Sequence, residues 1–243
     1  MRNMWAIAVK ELRSFYVSPV GWVALAFWLF GVGLFFTLDV LRGKQASMQS
    51  WFSTVEVLLL FLGPAVTMRL LAEEQRTGTM EVLMTSPVRD WEVVIGKYIG
   101  ALIFWASMVA VTFVYPLILG LISQPNGGPD WGAVFSGYLG LFLVGAAFLA
   151  IGVFTSSLSD NQVIAYIAGF VVLLTLYISG SLAQILPSGS QIAQSITALS
   201  VQGHFEDFGK GVIDLTNIMF YLSMVAAALF ATVQVLELRR ARQ

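Results

Sequence analysis

The stretches that carry no charge constrain this chain more than any other feature. Arg13 to Asp39 encloses 25 uncharged residues, Lys97 to Asp130 encloses 32, Asp130 to Asp160 encloses 29, Asp160 to His204 encloses 43 and Asp214 to Glu237 encloses 22. A helix needs about 20 mainly apolar residues to cross a hydrocarbon core of about 30 Å, so each interval holds a predicted span: 19–41, 98–122, 133–157, 163–186 and 215–237. Only 12 uncharged residues separate Glu56 from Arg69. A sixth span exists if 51–72 is taken whole, with Arg69 snorkelling to one surface and Glu56 about a turn below the other. Hydrophobic residues are 58% of the chain and charged residues 11%. A soluble domain has about 45–50% and about 25%, and a disordered chain is poor in apolar residues. The expectation is an all-α polytopic membrane protein.

The basic residues test the span count. Six spans put Arg2, Lys10 and Arg13, then Arg69, Arg76, Arg89 and Lys97, then Arg239, Arg240 and Arg242 on one side, and Arg42, Lys44 and Lys210 on the other. Ten against three makes the termini and the 2–3 and 4–5 loops cytoplasmic by the positive-inside rule. A five-span chain would divide the basic clusters between the two sides. Ala24-Leu25-Ala26 imitates a signal-peptide cleavage site, but the apolar run continues to Leu38, far beyond a signal's h-region of about 7–15 residues.

Several chemistries are excluded by composition. With no cysteine there is no disulfide or thiolate metal site, and with His204 the one histidine there is no His-x-x-x-His zinc site. No phosphate-binding glycine loop is present. Gly203 to Gly209-Lys210-Gly211 imitates one with five intervening residues and lacks the hydroxyl for magnesium. No ATP-hydrolysing site, cofactor or nucleic-acid partner is expected on this chain. Apart from Asp39 and Glu237 at the last turns of their spans, Glu56 is the one acid of 14 that falls within a span, which makes it a candidate gate or substrate-path residue. Its shallow position favours instead a solvated carboxylate, or one paired with Arg42 or Lys44.

Three segments outside the spans carry information. Residues 1–18 read as an interfacial helix, with Trp5, Ala8, Leu12 and Phe15 on one face and Lys10, Glu11 and Arg13 on another. That face either anchors in the membrane surface or also touches a partner, with Trp5, Leu12 and Phe15 as the contact residues. Ser18-Pro19 supplies an N-cap and a first-turn proline to span one. In the 2–3 loop Gly78 can end the helix leaving span two. Thr79 to Thr85 then makes about two turns, with Met80, Leu83 and Met84 on one side, before Ser86-Pro87 stops it. Asp90 can cap the following helix, with Glu92 in its first turn. So short a helix is unstable alone. It packs either on the chain's own interfacial helix and lipid headgroups, or its adaptable methionine face fits a groove on a cytosolic partner. The 5–6 connection, Pro187 to about Asp214, mixes apolar pairs with Ser, Gln and Gly, a composition suited to short outer-leaflet helices packed on protein.

Together these segments resemble the permease subunits of type-2 ABC exporters, the ABC-2 family. The likeness rests on Glu74-Gln75-Arg76-Thr77-Gly78-Thr79-Met80-Glu81-Val82-Leu83-Met84-Thr85-Ser86-Pro87 followed by Ile95-Gly96-Lys97. Lys10 to Phe15 with Ser18 to Gly21, and His204 to Asp214, are similar to the gliding-motility-associated and nitrous-oxide-reductase-maturation permeases. The resemblance covers essentially the whole chain and implies one transmembrane domain, residues 1–243, in the cytoplasmic membrane of a bacterium. It implies two copies of a cytosolic ABC ATPase subunit holding ATP and magnesium, and a second permease in a homo- or heterodimer. It also implies a coupling helix that docks on the ATPase through Thr79, Met80, Glu81, Leu83, Met84 and Thr85, and short helices at the exit between spans five and six. Two competing functions stay open: an ion-coupled secondary transporter, and a non-transporting membrane scaffold.

Overall fold

The computed structural model describes residues 2–41, 48–79, 88–123, 128–183, 185 and 190–241. Among these the chain is all helix. In order they are α1 (Arg2–Val17), α2 (Pro19–Leu41), α3 (Gln49–Thr67), α4 (Ala72–Arg76), α5 (Asp90–Thr112), α6 (Val114–Ile122), α7 (Trp131–Leu158), α8 (Gln162–Ala183), α9 (Gln191–Thr197), α10 (Val201–Gly209) and α11 (Leu215–Arg240). Six helical units are long and apolar enough to cross a membrane: α2, α3 with α4, α5 with α6, α7, α8 and α11. These are the six expected spans. Several run further than the apolar stretch alone indicated, because the helices continue into their polar ends.

α7 is the central post. Of its most apolar stretch 83% is buried, against 11% for α11 and 17% for α2, whose outer faces are the lipid-facing ones. Helices gain nothing hydrophobic by leaving lipid for one another, so they associate through close packing of small residues and interhelical hydrogen bonds. α7 follows that rule with glycines set against bulky side chains. Gly137 faces the Phe52 ring, Gly145 the Trp105 indole and Gly152 the Thr67 hydroxyl, and a methyl group at any of them would overlap its neighbour. The Trp28 indole N–H donates to Met108 O at 3.2 Å, and Trp28 meets Trp105 edge to face at 4.9 Å.

Two spans are interrupted, and α7 repairs both interruptions. Pro116 has no N–H to offer the carbonyl four residues back, so the helix breaks at Phe113 between α5 and α6. The freed Thr112 carbonyl accepts the Tyr138 hydroxyl at 2.8 Å instead. The second break, residues 68–71, separates α3 from α4. Ser156 spends its whole capacity there: its Oγ donates to Met68 O at 3.0 Å and accepts from the Leu71 and Ala72 amides, both at 3.1 Å.

The expected caps are met with one change of register. The Gly21 amide donates to Ser18 Oγ at 3.3 Å, and Gly78 follows α4 in the left-handed region at φ +72. Asp90, expected as a cap, is instead the first residue of α5. The cap position belongs to Arg89, whose amide donates to Glu92 Oε2 at 3.2 Å. Asp214 caps α11 by accepting from the Thr216 amide at 2.8 Å, and that bond holds its carboxyl below the usual range. Of the earlier expectations, Met80 to Pro87, Arg42, Lys44, the 3–4 turn at 124–127 and the last residues of span five lie outside the described residues.

Replacing Tyr138 with Phe should cost about 1 kcal/mol, the usual range for an interhelical hydrogen bond in a membrane. Thermal unfolding in detergent checks this. The same change should cost less in a Pro116→Ala background, where residue 116 regains an amide for the Thr112 carbonyl.

Candidate functional site at the end carrying both termini

The polar residues of this chain gather where α1, α4, the start of α5 and the end of α11 meet. α1 reaches that place by lying across α5 at two glycines. A methyl group at Gly96 would stand 2.8 Å from Met4 O, and one at Gly100 would stand 2.9 Å from Ala8 O. Ala8 and Phe15 are buried by this contact, Leu12 is half-buried, and the Phe15 ring stacks on Phe104 at 4.7 Å. The face expected for lipid or a partner is therefore largely covered by the chain's own third span. Of the three residues assigned to it, Trp5 alone stands open, at 56% exposure, while Leu12 and Phe15 pack inward.

The crossing sets Glu11 over Lys97, whose Nζ donates to Glu11 Oε1 at 2.6 Å and to Glu74 Oε1 at 2.8 Å. Lys97 is 2% exposed. Withdrawing an ammonium from water costs several kcal/mol and is recovered only by close, well-directed partners. Here two carboxylates from two other helices supply them. The other oxygen of Glu74 is buried without a hydrogen-bond partner among the described residues.

Around this triad α4 is held on every side. Gln75 Nε2 donates to Ser157 O at 3.1 Å, and Gln75 Oε1 accepts from Arg239 Nη1 at 2.9 Å, which ties α4 to α7 and α11. Arg240 pairs with Asp90 at 3.1 Å. Arg69, expected to snorkel to the surface, donates to Ser18 Oγ at 3.1 Å and Ser14 Oγ at 2.9 Å, with its guanidinium 5.7 Å from the Phe15 ring centre. The end of α1 supplies the acceptors that water was expected to provide. Between α1 and α4 remains a cleft of about 570 Å³, lined by Lys10 and Ser14 on one wall and Glu73, Thr77 and Thr79 on the other.

Thr79 sits at the mouth of this cleft, its hydroxyl 3.0 Å from that of Thr77. Met80, Glu81, Leu83, Met84 and Thr85, assigned with it to partner contact, lie outside the described residues. Glu11, Glu74 and Lys97 were not singled out as site residues. They converge from positions up to 86 residues apart, and no local pattern marks such a meeting. Among the described residues no three His, Asp or Glu side chains are grouped to hold a metal ion.

Glu56 is at the opposite end, and its placement is a correction. It is 1% exposed, so it is not the solvated carboxylate its sequence position favoured, and its Oε1 has no hydrogen-bond partner among the described residues. Its helix packs on α7 and α8, and α10, a helix of the 5–6 connection, lies on α7 close by and touches α3 as well. Ser136 Oγ donates to Phe208 O at 2.7 Å, the Tyr221 hydroxyl to Val201 O at 2.8 Å, and Asn217 Nδ2 to Asp207 Oδ2 at 3.0 Å. Glu206 of α10 lies within electrostatic reach of Glu56.

Six apolar spans around a central post, with charge confined to their ends, define a multi-pass membrane protein. The chain belongs to the ABC-2 family of transporter proteins, whose family model matches residues 5–242. It is similar to the probable multidrug ABC transporter permease YbhR of Escherichia coli strain K12, at 25% identity over 166 residues, 68% of this chain and 42% of the relative's length. The YbhR protein of Escherichia coli O157:H7 matches to the same extent. The chain thus spans under half the length of the curated relatives it matches.

Lys97→Met would leave two largely buried carboxylates without their shared cation at the edge of the cleft and should destabilise the protein by about 2–3 kcal/mol, below the roughly 3–5 kcal/mol of a fully buried broken pair. Adding Glu11→Gln and Glu74→Gln to it should recover most of that loss, because the uncompensated charges go with them. Thermal midpoints of the single and triple variants in one detergent provide the measurement.

Proposed function

We propose that this chain is the membrane-spanning permease subunit of an ABC exporter, and that it works as a dimer on two separate ATPase subunits. On this reading the end carrying both termini is cytosolic, and residues 79–85 form the helix gripped by the ATPase. ATP and magnesium are held by that partner. The permease itself contributes mechanics: a helix seated in a groove transmits force only if the groove moves, so the loop couples two otherwise separate equilibria.

One observation supports this reading above the others, namely how the ends of the 80–87 segment are mounted. On one side α4 is fixed by Ser156, Gln75 and the Lys97 triad; on the other, α5 is fixed by the Arg89–Glu92 cap and the Arg240–Asp90 pair. A floppy loop would absorb a push. Two clamped helix ends pass a push on the segment between them into spans two and three. At the far end α10, packed on α7 near Glu56, stands where cargo would leave.

Changing Leu83 and Met84 together to Asp should leave the spans inserted and abolish co-purification with the ATPase subunit. Wild-type yield of ATPase from that variant would refute the assignment. Sidedness is tested separately. The chain has no cysteine, so single cysteines placed at Gln124 and Ser159 can be labelled without background. The first should react with an impermeant reagent from outside the cell and the second should not.

A further inference from the structure

α1 presents a problem that lipid anchoring does not solve. A helix resting on the membrane surface needs only an apolar face, and its charges stay in water. In this chain Glu11 is drawn to 12% exposure and placed against an ammonium that is 2% exposed. That ammonium is shared with Glu74 of α4, the helix from which the 80–87 segment departs. Apolar side chains would hold the three helices together at lower desolvation cost, and buried ionic groups are best attested where they fix one relative register.

The glycine contacts point the same way. At Gly96 and Gly100 the backbones of α1 and α5 approach too closely for a side chain, so the two helices cannot slide without separating. α1 is therefore seated on α5 by shape. It is connected to α4 by charge through Lys97, and on its other side through Arg69, which reaches Ser14 and Ser18 from the end of span two. Lys10, Glu11 and Ser14 on α1 face Glu73, Glu74 and Thr77 across the cleft.

We infer that Lys97 is a positioning residue that makes α1 move as one body with the stalk of the coupling segment, so that α1 belongs to the path of force and is not a passive anchor. The inference rests on the reading that residues 79–85 dock on an ATPase. Cutting one arm of the triad should therefore uncouple α1 while leaving the docking segment in place. Glu11→Gln cuts the arm to α1 and keeps the Lys97–Glu74 pair; Glu74→Gln does the reverse. Both are isosteric.

The test uses the full chain in nanodiscs, with Val9→Cys on α1 and Arg76→Cys at the end of α4 as the two thiols, both at exposed positions outside the docking residues. Spin labels there report the separation of α1 from the base of the segment, first on the chain alone and then with the ATPase bound, with and without nucleotide. The unaltered triad should give one narrow distance distribution in every state. Either glutamine variant should broaden it at least twofold. The same variants should retain ATPase within twofold of the unaltered protein, yet lose tenfold or more of the ATP turnover that the permease stimulates. Unchanged widths in both variants would overturn the inference. So would loss of turnover in proportion to lost ATPase binding, because the triad would then only keep the chain folded. An unaltered chain that fails to hold the ATPase refutes the docking reading instead, and the widths measured on the chain alone still decide whether Lys97 fastens α1.

Discussion

In hydrocarbon there is no water to pair with a backbone N–H or C=O, so any interruption of a spanning helix must be repaired by protein. The architecture of this chain follows from that requirement. Spans two and three are both broken, at residues 68–71 and at Phe113, and both repairs come from hydroxyls on α7: Ser156 at one end and Tyr138 nearer the other. A helix that must reach its neighbours' backbones with short side chains has to lie close to them, which explains why α7 is rich in glycine where Phe52, Trp105 and Thr67 press against it. The repairs also make the breaks useful. A helix interrupted but stitched keeps its last turn in place, and α4 is held to α7 through the Ser156 bonds at the break.

Beside that last turn the polar end is built from three helices. α4 brings Glu74 and Gln75 inward; α5 brings Lys97; α1 is pressed onto α5 by the two glycines and brings Glu11. None of these charges would be tolerated at such burial by itself. Together they leave one lysine between two carboxylates, and Arg239 and Arg240 close the outside of the cluster at Gln75 and Asp90. The basic residues that set sidedness in the sequence are thus also the ones that lock the end of the bundle.

The spans were legible because they depend on local composition: a charge-free run of sufficient length has few alternatives in a membrane protein. Caps and stops were legible for a similar reason, since Ser18-Pro19 and Gly78 act on their own neighbours. The two ionisable residues judged by position alone went differently. Position alone puts Glu56 near one surface and lets Arg69 snorkel to the other, as in an isolated helix. In the fold Glu56 is buried, while Arg69 reaches the polar end and is bound there by Ser14 and Ser18.

One signal for the missing contact was present in the sequence. Gly96-x-x-x-Gly100, flanking Lys97 at the start of the third span, marks a face where another backbone can approach closely, and α1 is the helix that occupies it. Amphipathic spacing cannot tell a face meant for lipid from a face meant for protein, because both require the same apolar residues. What separates them is the partner's shape. A lipid surface needs no glycine groove and no buried counter-charge, whereas α5 offers both, and Glu11 is the residue on α1 that has use for the second.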